Sequence, residues 1–158
     1  MSKNKRILVV DDDKAILDSF SVILQDEGFS VDTAKNGKEA IEKSNAHFYN
    51  LAIIDWRLPD ISGTDLLTEL HDTVPKTTKI LLTGYPSMRN AIDAVNNHAD
   101  AFLVKPVDAG KLLSKIKELL KLQDEANHFS QLKVAEFIES KTKQALEINR
   151  EHESPASR

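Results

Sequence analysis

Cysteine is absent from the 158 residues, which removes disulfides and thiolate metal sites and fits a reducing compartment. Long apolar runs are missing too. No stretch approaches the roughly 18 residues needed to span a membrane, and the N-terminus MSKNKRILVV passes from basic residues straight into a strand-like run without a leader's apolar segment. No membrane insertion is expected, and the cytoplasm is the default location. Surplus positive charge is lacking as well: the formal net charge is -4 and the pI about 5.7. Direct nucleic-acid binding is therefore not expected, because phosphate backbones call for clustered Lys and Arg. There is no internal repeat. The composition, 41% hydrophobic and 29% charged, is that of an ordinary globular chain, and the length suits one domain with a short extension.

The organising stretch is Leu51 to Gly63, LAIIDWRLPDISG. Leu51, Ala52, Ile53 and Ile54 read as a fully buried strand that stops at Asp55, and Pro59 and Gly63 mark the loop beyond it. The same pattern opens the chain, where Ile7 to Val10 run into Asp11, Asp12 and Asp13. Between these two strands, a helix over Ala15 to Asp26 is stopped by Gly28. A short alternating strand, Phe29 to Ala34, then turns at Asn36-Gly37 into a helix over Lys38 to Ala46. Downstream, Thr64 to His71 reads as a helix, Pro75 as a break, and Lys79 to Leu82 as a strand ending in Thr83-Gly84. Ser87 caps a helix over Met88 to Asn97 with Ala91, Ile92 and Val95 inward. The strand Ala101 to Val104 ends in Lys105-Pro106, and Asp108 caps a helix whose inner face is Leu112, Leu113, Ile116, Leu119 and Leu120.

Five strands alternating with five helices predict a doubly wound five-stranded parallel sheet, covered on both faces by right-handed crossovers. In such sheets chemistry gathers beyond the carboxyl ends of the strands. Asp11 to Asp13, Asp55, Thr83 and Lys105 each follow an apolar strand, so topology alone brings them to one edge. Crowded carboxylates raise one another's pKa unless a cation joins them, and an oxygen-only ligand set favours Mg2+. A carboxylate can attack phosphorus to give an acyl phosphate, and phosphoryl transfer then needs positioning and charge neutralisation. Asp55 is the candidate nucleophile, Asp11 and Asp12 the metal carboxylates, Thr83 a hydroxyl donor and Lys105 the cation. Gly84 permits close backbone approach. Beyond Lys121, residues 123–150 are rich in helix formers but keep a poor heptad. They read as a helical extension or linker, and 151–158 as a disordered tail.

The set VVDDD at 9–13, DWRLPDISG at 55–63, LLTG at 81–84 and FLVKP at 102–106 resembles the receiver domain of two-component response regulators, over residues 4–122. The resemblance implies a (βα)5 flavodoxin-like fold in which Asp55 accepts a phosphoryl group from a histidine kinase or phosphotransfer protein. It implies Mg2+ held by Asp11, Asp12, Asp55 and the backbone carbonyl of Arg57. Thr83 matches the switch hydroxyl, Lys105 the phosphoryl-binding lysine and Phe102 the switch aromatic, and the Lys105-Pro106 peptide is expected to be cis. On phosphorylation Thr83 would move inward and Phe102 would turn, changing the face of the fourth helix, fifth strand and fifth helix toward a downstream partner or a second copy. Arg57 and Tyr85 occupy positions that tune acyl-phosphate lifetime. The stretch TGYPS resembles receivers attached to transcriptional activators.

Plainer readings stand beside these. Lys105 also reads as an ordinary buried ion pair, Phe102 as core, Thr83 as a turn cap, Asp13 as a helix cap or solvated neighbour, and Arg57 and Trp56 as loop residues facing solvent or partner. His47, His71, His98, His128 and His152 have no metal-ligand spacing and read as surface. A rival from another class is an aspartyl-phosphate phosphohydrolase of the haloacid dehalogenase type, with Asp11 and Asp13 as its D-x-D pair. Ala15 stands where that motif ends, and Asp55 would have no role. A phosphorylation-independent interaction module is the third reading. No enzyme activity is expected beyond the domain's own phosphorylation and dephosphorylation.

Overall fold

The computed structural model describes residues 5–70 and 76–153. Strands β1 (Arg6–Val10), β2 (Ser30–Ala34), β3 (Leu51–Asp55), β4 (Thr78–Thr83) and β5 (Ala101–Val104) alternate with helices α1 (Lys14–Asp26), α2 (Gly37–Ala46), α3 (Gly63–Glu69), α4 (Met88–Asn96) and α5 (Ala109–Glu153). All strand pairs are parallel, in the order β2-β1-β3-β4-β5. The chain lays β2 on one side of β1 and β3 on the other, so the strand order reverses at β1 and a crevice opens between the carboxyl ends of β1 and β3. Pairing of Val10 with Ile54 then sets Asp11 beside Asp55.

The middles of the central strands are largely apolar because both faces are covered, and alternate residues feed two separate cores. Leu8, Val10, Ala52, Ile54 and Leu81 pack with Ala40, Leu66, Leu67 and Ala94 on one side. Ile7, Val9, Ile53, Ile80 and Leu82 pack with Leu17, Leu24, Leu112 and Ile116 on the other. Side-chain caps fix the helix starts: Asp13, Asn36, Ser62 and Ser87 accept backbone N–H bonds at α1, α2, α3 and α4. Asp108 accepts from Lys111 N at α5.

Three expectations change. The third helix starts at Gly63 and ends at Glu69; Leu70 turns away as an extended cap, and the expected His71 and Pro75 lie outside the described residues. In α4 only Ala94 is buried, while Ile92 is 50% and Val95 70% exposed. The helical spacing of Ile92 and Val95 is real, but their stripe faces out together with Met88, because the small Ala94 is the residue that meets the sheet. The helical extension is part of α5, which runs to Glu153; residues 154–158 lie outside the described residues. The chain forms two compact units, Met1–Lys121 and Leu122–Arg158. In the second unit Phe129, Leu132, Val134, Phe137 and Ile138 are exposed, and Lys133 and Lys141 lie over the Phe129 and Phe137 rings. No helix among the described residues is long and apolar enough to cross a membrane.

Gly63 is where strand, loop and helix meet most tightly. A Cβ there would sit 2.4 Å from the Asp55 carbonyl oxygen, 2.8 Å from Leu81 Cδ1 and 2.9 Å from Trp56 Cα. Backbone cannot yield as a flexible side chain does. Gly63→Ala is expected to cost on the order of 3 kcal/mol in chemical denaturation, whereas Gly84→Ala, whose Cβ meets nothing within 4 Å, should stay within about 0.5 kcal/mol of wild type.

Candidate functional site

The site forms where β1, β3, β4 and β5 end. Lys105, directly after β5, sends its Nζ back across the sheet edge to Asp11 Oδ2 at 2.8 Å and Asp55 Oδ1 at 2.9 Å. Asp11 is held from its other oxygen by the backbone N–H of Asp13, at 2.9 Å. Each carboxylate of Asp11, Asp12 and Asp55 offers an oxygen within 4.8 Å of the others. Asp11 and Asp55 are buried and Asp12 is exposed, so the cluster opens to solvent on one side. Three converging carboxylates with no nitrogen or sulfur donor fit a hard divalent cation such as Mg2+.

Electrostatics follow from that crowding. Burial pushes the Asp55 carboxyl above the usual carboxylate range; the Lys105 hydrogen bond opposes this, and the Asp11 and Asp12 charges add to it. Burial also disfavours the Lys105 ammonium, but hydrogen bonds and charge from Asp11 and Asp55 outweigh burial and raise its pKa. One cation thus serves two acids, and the acids outnumber it.

Around the cluster lies a cleft of about 490 Å³ lined by Asp12, Asp55, Trp56, Arg57, Thr83, Tyr85 and Lys105 among others. Thr83 ends β4 fully buried, and its Oγ1 accepts from the Tyr85 N–H at 3.1 Å. Gly84 lines the same cleft. The backbone there is stitched across strands: Trp56 N donates to Leu82 O at 2.6 Å and Lys105 N to Thr83 O at 2.7 Å. The Lys105-Pro106 peptide is cis. Phe102 is half-buried and packs against the core on the α4 side. Asp13 is not in the cleft; its Oδ1 accepts from Ala15 N at 2.9 Å and caps α1, leaving the D-x-D reading without its second acid. His47, His98 and His128 are exposed.

Two features escaped sequence reasoning. The Arg57 guanidinium stacks over the Tyr85 ring at 4.9 Å, joining the β3–α3 and β4–α4 loops at the mouth of the cleft. Asp60, in the loop after β3, accepts from the N–H groups of Gly37 and Lys38 at the start of α2, each at 2.9 Å. Those backbone donors hold its carboxyl below the usual range. The acid beside Pro59 in the LPD stretch was the only sequence signal for the second feature, and it does not name a partner 23 residues away.

The sequence profile of the response regulator receiver domain family matches residues 7–117. The phosphoglycerate transport system transcriptional regulatory protein PgtA of Salmonella typhimurium is 36% identical over 115 residues, covering 73% of this chain and 28% of that protein. This chain therefore spans little more than a quarter of that relative. The crystal structure of a CheY-like receiver domain protein from Methanospirillum hungatei superposes with a TM-score of 0.74 at 47% identity, covering 77% of this chain and 98% of that one. A response regulator from Burkholderia pseudomallei, solved with a phosphorylated aspartic acid, calcium ion and citrate, superposes at 0.68 with 30% identity, covering 78% of this chain and 73% of that one. With the sheet order, the strand-end acids and these likenesses in agreement, the chain belongs to the response regulator receiver domain family of two-component systems.

Proposed function

We propose that Asp55 is the phosphoacceptor of this receiver and that Asp11, Asp12, Asp55 and the Arg57 carbonyl hold Mg2+. The observation that carries the reading is the single Lys105 ammonium bridging Asp11 and Asp55 inside an open cleft. An Asp55 carboxylate oxygen attacks phosphorus of a phosphohistidine on a kinase or phosphotransfer protein. The new O–P bond forms as the P–N bond breaks, and its electron pair leaves with the imidazole nitrogen. Mg2+, when bound, neutralises charge on the phosphoryl oxygens. Lys105 supplies a fixed positive charge at the same place, and Thr83 supplies a hydroxyl once it leaves the Tyr85 N–H. The phosphorylated aspartate in the Burkholderia relative supports this assignment.

Movement of Thr83 and reorientation of Phe102 would then repack β4, β5 and α4. The exposed Met88, Ile92 and Val95 on α4 and Val104 on β5 provide the apolar surface whose partner, a downstream protein or a second copy, distinguishes the two packings. The Arg57–Tyr85 stack roofs the cleft and restricts water at the acyl phosphate.

Incubation with acetyl phosphate and Mg2+ is expected to add one phosphoryl group by intact mass in wild type and none in Asp55→Asn; an adduct surviving that substitution would disprove the assignment. Because the folded pKa of Asp55 lies above its unfolded value, the stability tied to it is full below the unfolded carboxylate range and declines as pH rises through the raised value. In Mg2+-free buffer, thermal melts of wild type should therefore lose ground to Asp55→Asn as pH climbs above about 4. Mg2+ at ten times its dissociation constant should restore about 1.4 kcal/mol to wild type, with little effect on the variant. Arg57→Ala and Tyr85→Ala should each shorten the acyl-phosphate half-life severalfold. In a double-mutant cycle on hydrolysis rate, the two should couple by about 0.5–1 kcal/mol, the size of an exposed cation–π contact.

A further inference from the structure

The loop after β3 is a closed ring. Gly63 N donates to the Trp56 carbonyl at 2.7 Å, and Arg57 and Ser62 face each other in an isolated antiparallel bridge. Leu58 is buried in the core on the α2 and α3 side. The far end of the ring, Asp60 and Ile61, rests on the first turn of α2. Asp60 takes one N–H with each carboxylate oxygen, from Gly37 and from Lys38, at 2.9 Å each. Ile61 fits against Gly37 so closely that a Cβ there would lie 2.1 Å from Ile61 Cγ2. Both partners are thus shaped for the contact: α2 opens with a residue lacking a side chain, and the loop supplies an acid to a helix start whose N–H groups have no intrahelical acceptor. The helix's own cap, Asn36, takes the Glu39 N–H with its side-chain oxygen.

We infer that Asp60 is a positioning residue that fixes the Arg57 carbonyl for Mg2+ by tying the β3–α3 loop to the N-terminus of α2; the inference rests on the receiver reading above. Arg57 lies on the arm of the ring between its closed base and its tethered tip. Freed at the tip, the loop keeps the Gly63–Trp56 bond, the Arg57–Ser62 bridge and the buried Leu58, and the Arg57 carbonyl shifts by the slack those contacts leave. Mg2+ accepts little displacement, since it demands near-octahedral ligands at about 2.0–2.1 Å. Residues behind the ligands therefore govern affinity almost as strongly as the ligands themselves. Coupling is reciprocal, so Mg2+ in turn steadies the start of α2.

The chain's single tryptophan, Trp56, stands next to Asp55 and lines the cleft, so its fluorescence is the readout for Mg2+ titration. Asp60→Ala is expected to raise the Mg2+ dissociation constant about tenfold. Asp60→Asn, which keeps one acceptor oxygen and turns a donor toward the second N–H, should fall between. Asn36→Ala removes a cap from the same helix without touching the loop and should change the constant by less than about twofold. In wild type, Mg2+ should slow amide exchange at Gly37 and Lys38, and in Asp60→Asn it should not. Unchanged Mg2+ affinity in both Asp60 variants, or an equal loss in Asn36→Ala, would overturn the positioning role while leaving the receiver reading intact. A wild-type protein that binds no Mg2+ would overturn both.

Discussion

The bond between Lys105 and the paired acids Asp11 and Asp55 is the constraint on which the functional end of the sheet depends. Each partner comes from a different strand end, and two of the three are almost wholly withdrawn from water. Removing Lys105 would leave two buried acids without their shared cation, whereas removing Asp55 leaves the Lys105–Asp11 pair intact. The arrangement is nonetheless short of positive charge, because Asp12 adds a third carboxylate to a site served by one ammonium. That shortfall suits the site to a divalent cation and to a reaction that brings in phosphoryl oxygens. A fully neutralised cluster would have been more stable and less able to bind either.

Geometry around this cluster is set by backbone more than by side chains. The crevice exists because the chain places β2 and β3 on opposite sides of β1. Cross-strand bonds from Trp56 N and Lys105 N continue the sheet past its last residues, so Lys105 and the β3–α3 loop start from rigid points. Gly63 lets the loop return onto the Asp55 carbonyl. From there the loop reaches two neighbours, Tyr85 through Arg57 and α2 through Asp60. Through these contacts the ring beside Asp55 is tied to both the β4–α4 loop and the second helix.

The surface divides by the same logic. β5 is an edge strand with Val104 exposed, and α4 turns Met88, Ile92 and Val95 outward while holding the sheet by Ala94. A helix anchored by one small residue has fewer contacts to break than its neighbours, which suits the element expected to move. α3, by contrast, is short but buries Leu66 and Leu67 completely or nearly so, and suits a fixed support for the loop that precedes it.

Strand-end placement was legible in the sequence because it needs only two local signals. Three or four apolar residues followed by Asp55, Thr83 or Lys105 specify a strand and its terminus, and parallel topology then gathers those termini at one edge. Helix caps at Ser87 and Asp108 were legible for the same reason, being bonds between near neighbours, while Asn36 read only as a turn. The outward face of α4 was not, because periodicity gives a stripe without saying whether Ile92 and Val95 or Ala94 meets the sheet. Nor was the role of Asp13 settled, since a cap and a metal ligand look alike until the side chain has a direction. The Arg57–Tyr85 stack and the Asp60–α2 tie join residues 28 and 23 positions apart. The sequence determined which groups arrive at the sheet edge. Tertiary structure alone decided which loops close over them, because packing distances between separate loops are fixed by the whole core and by no local pattern.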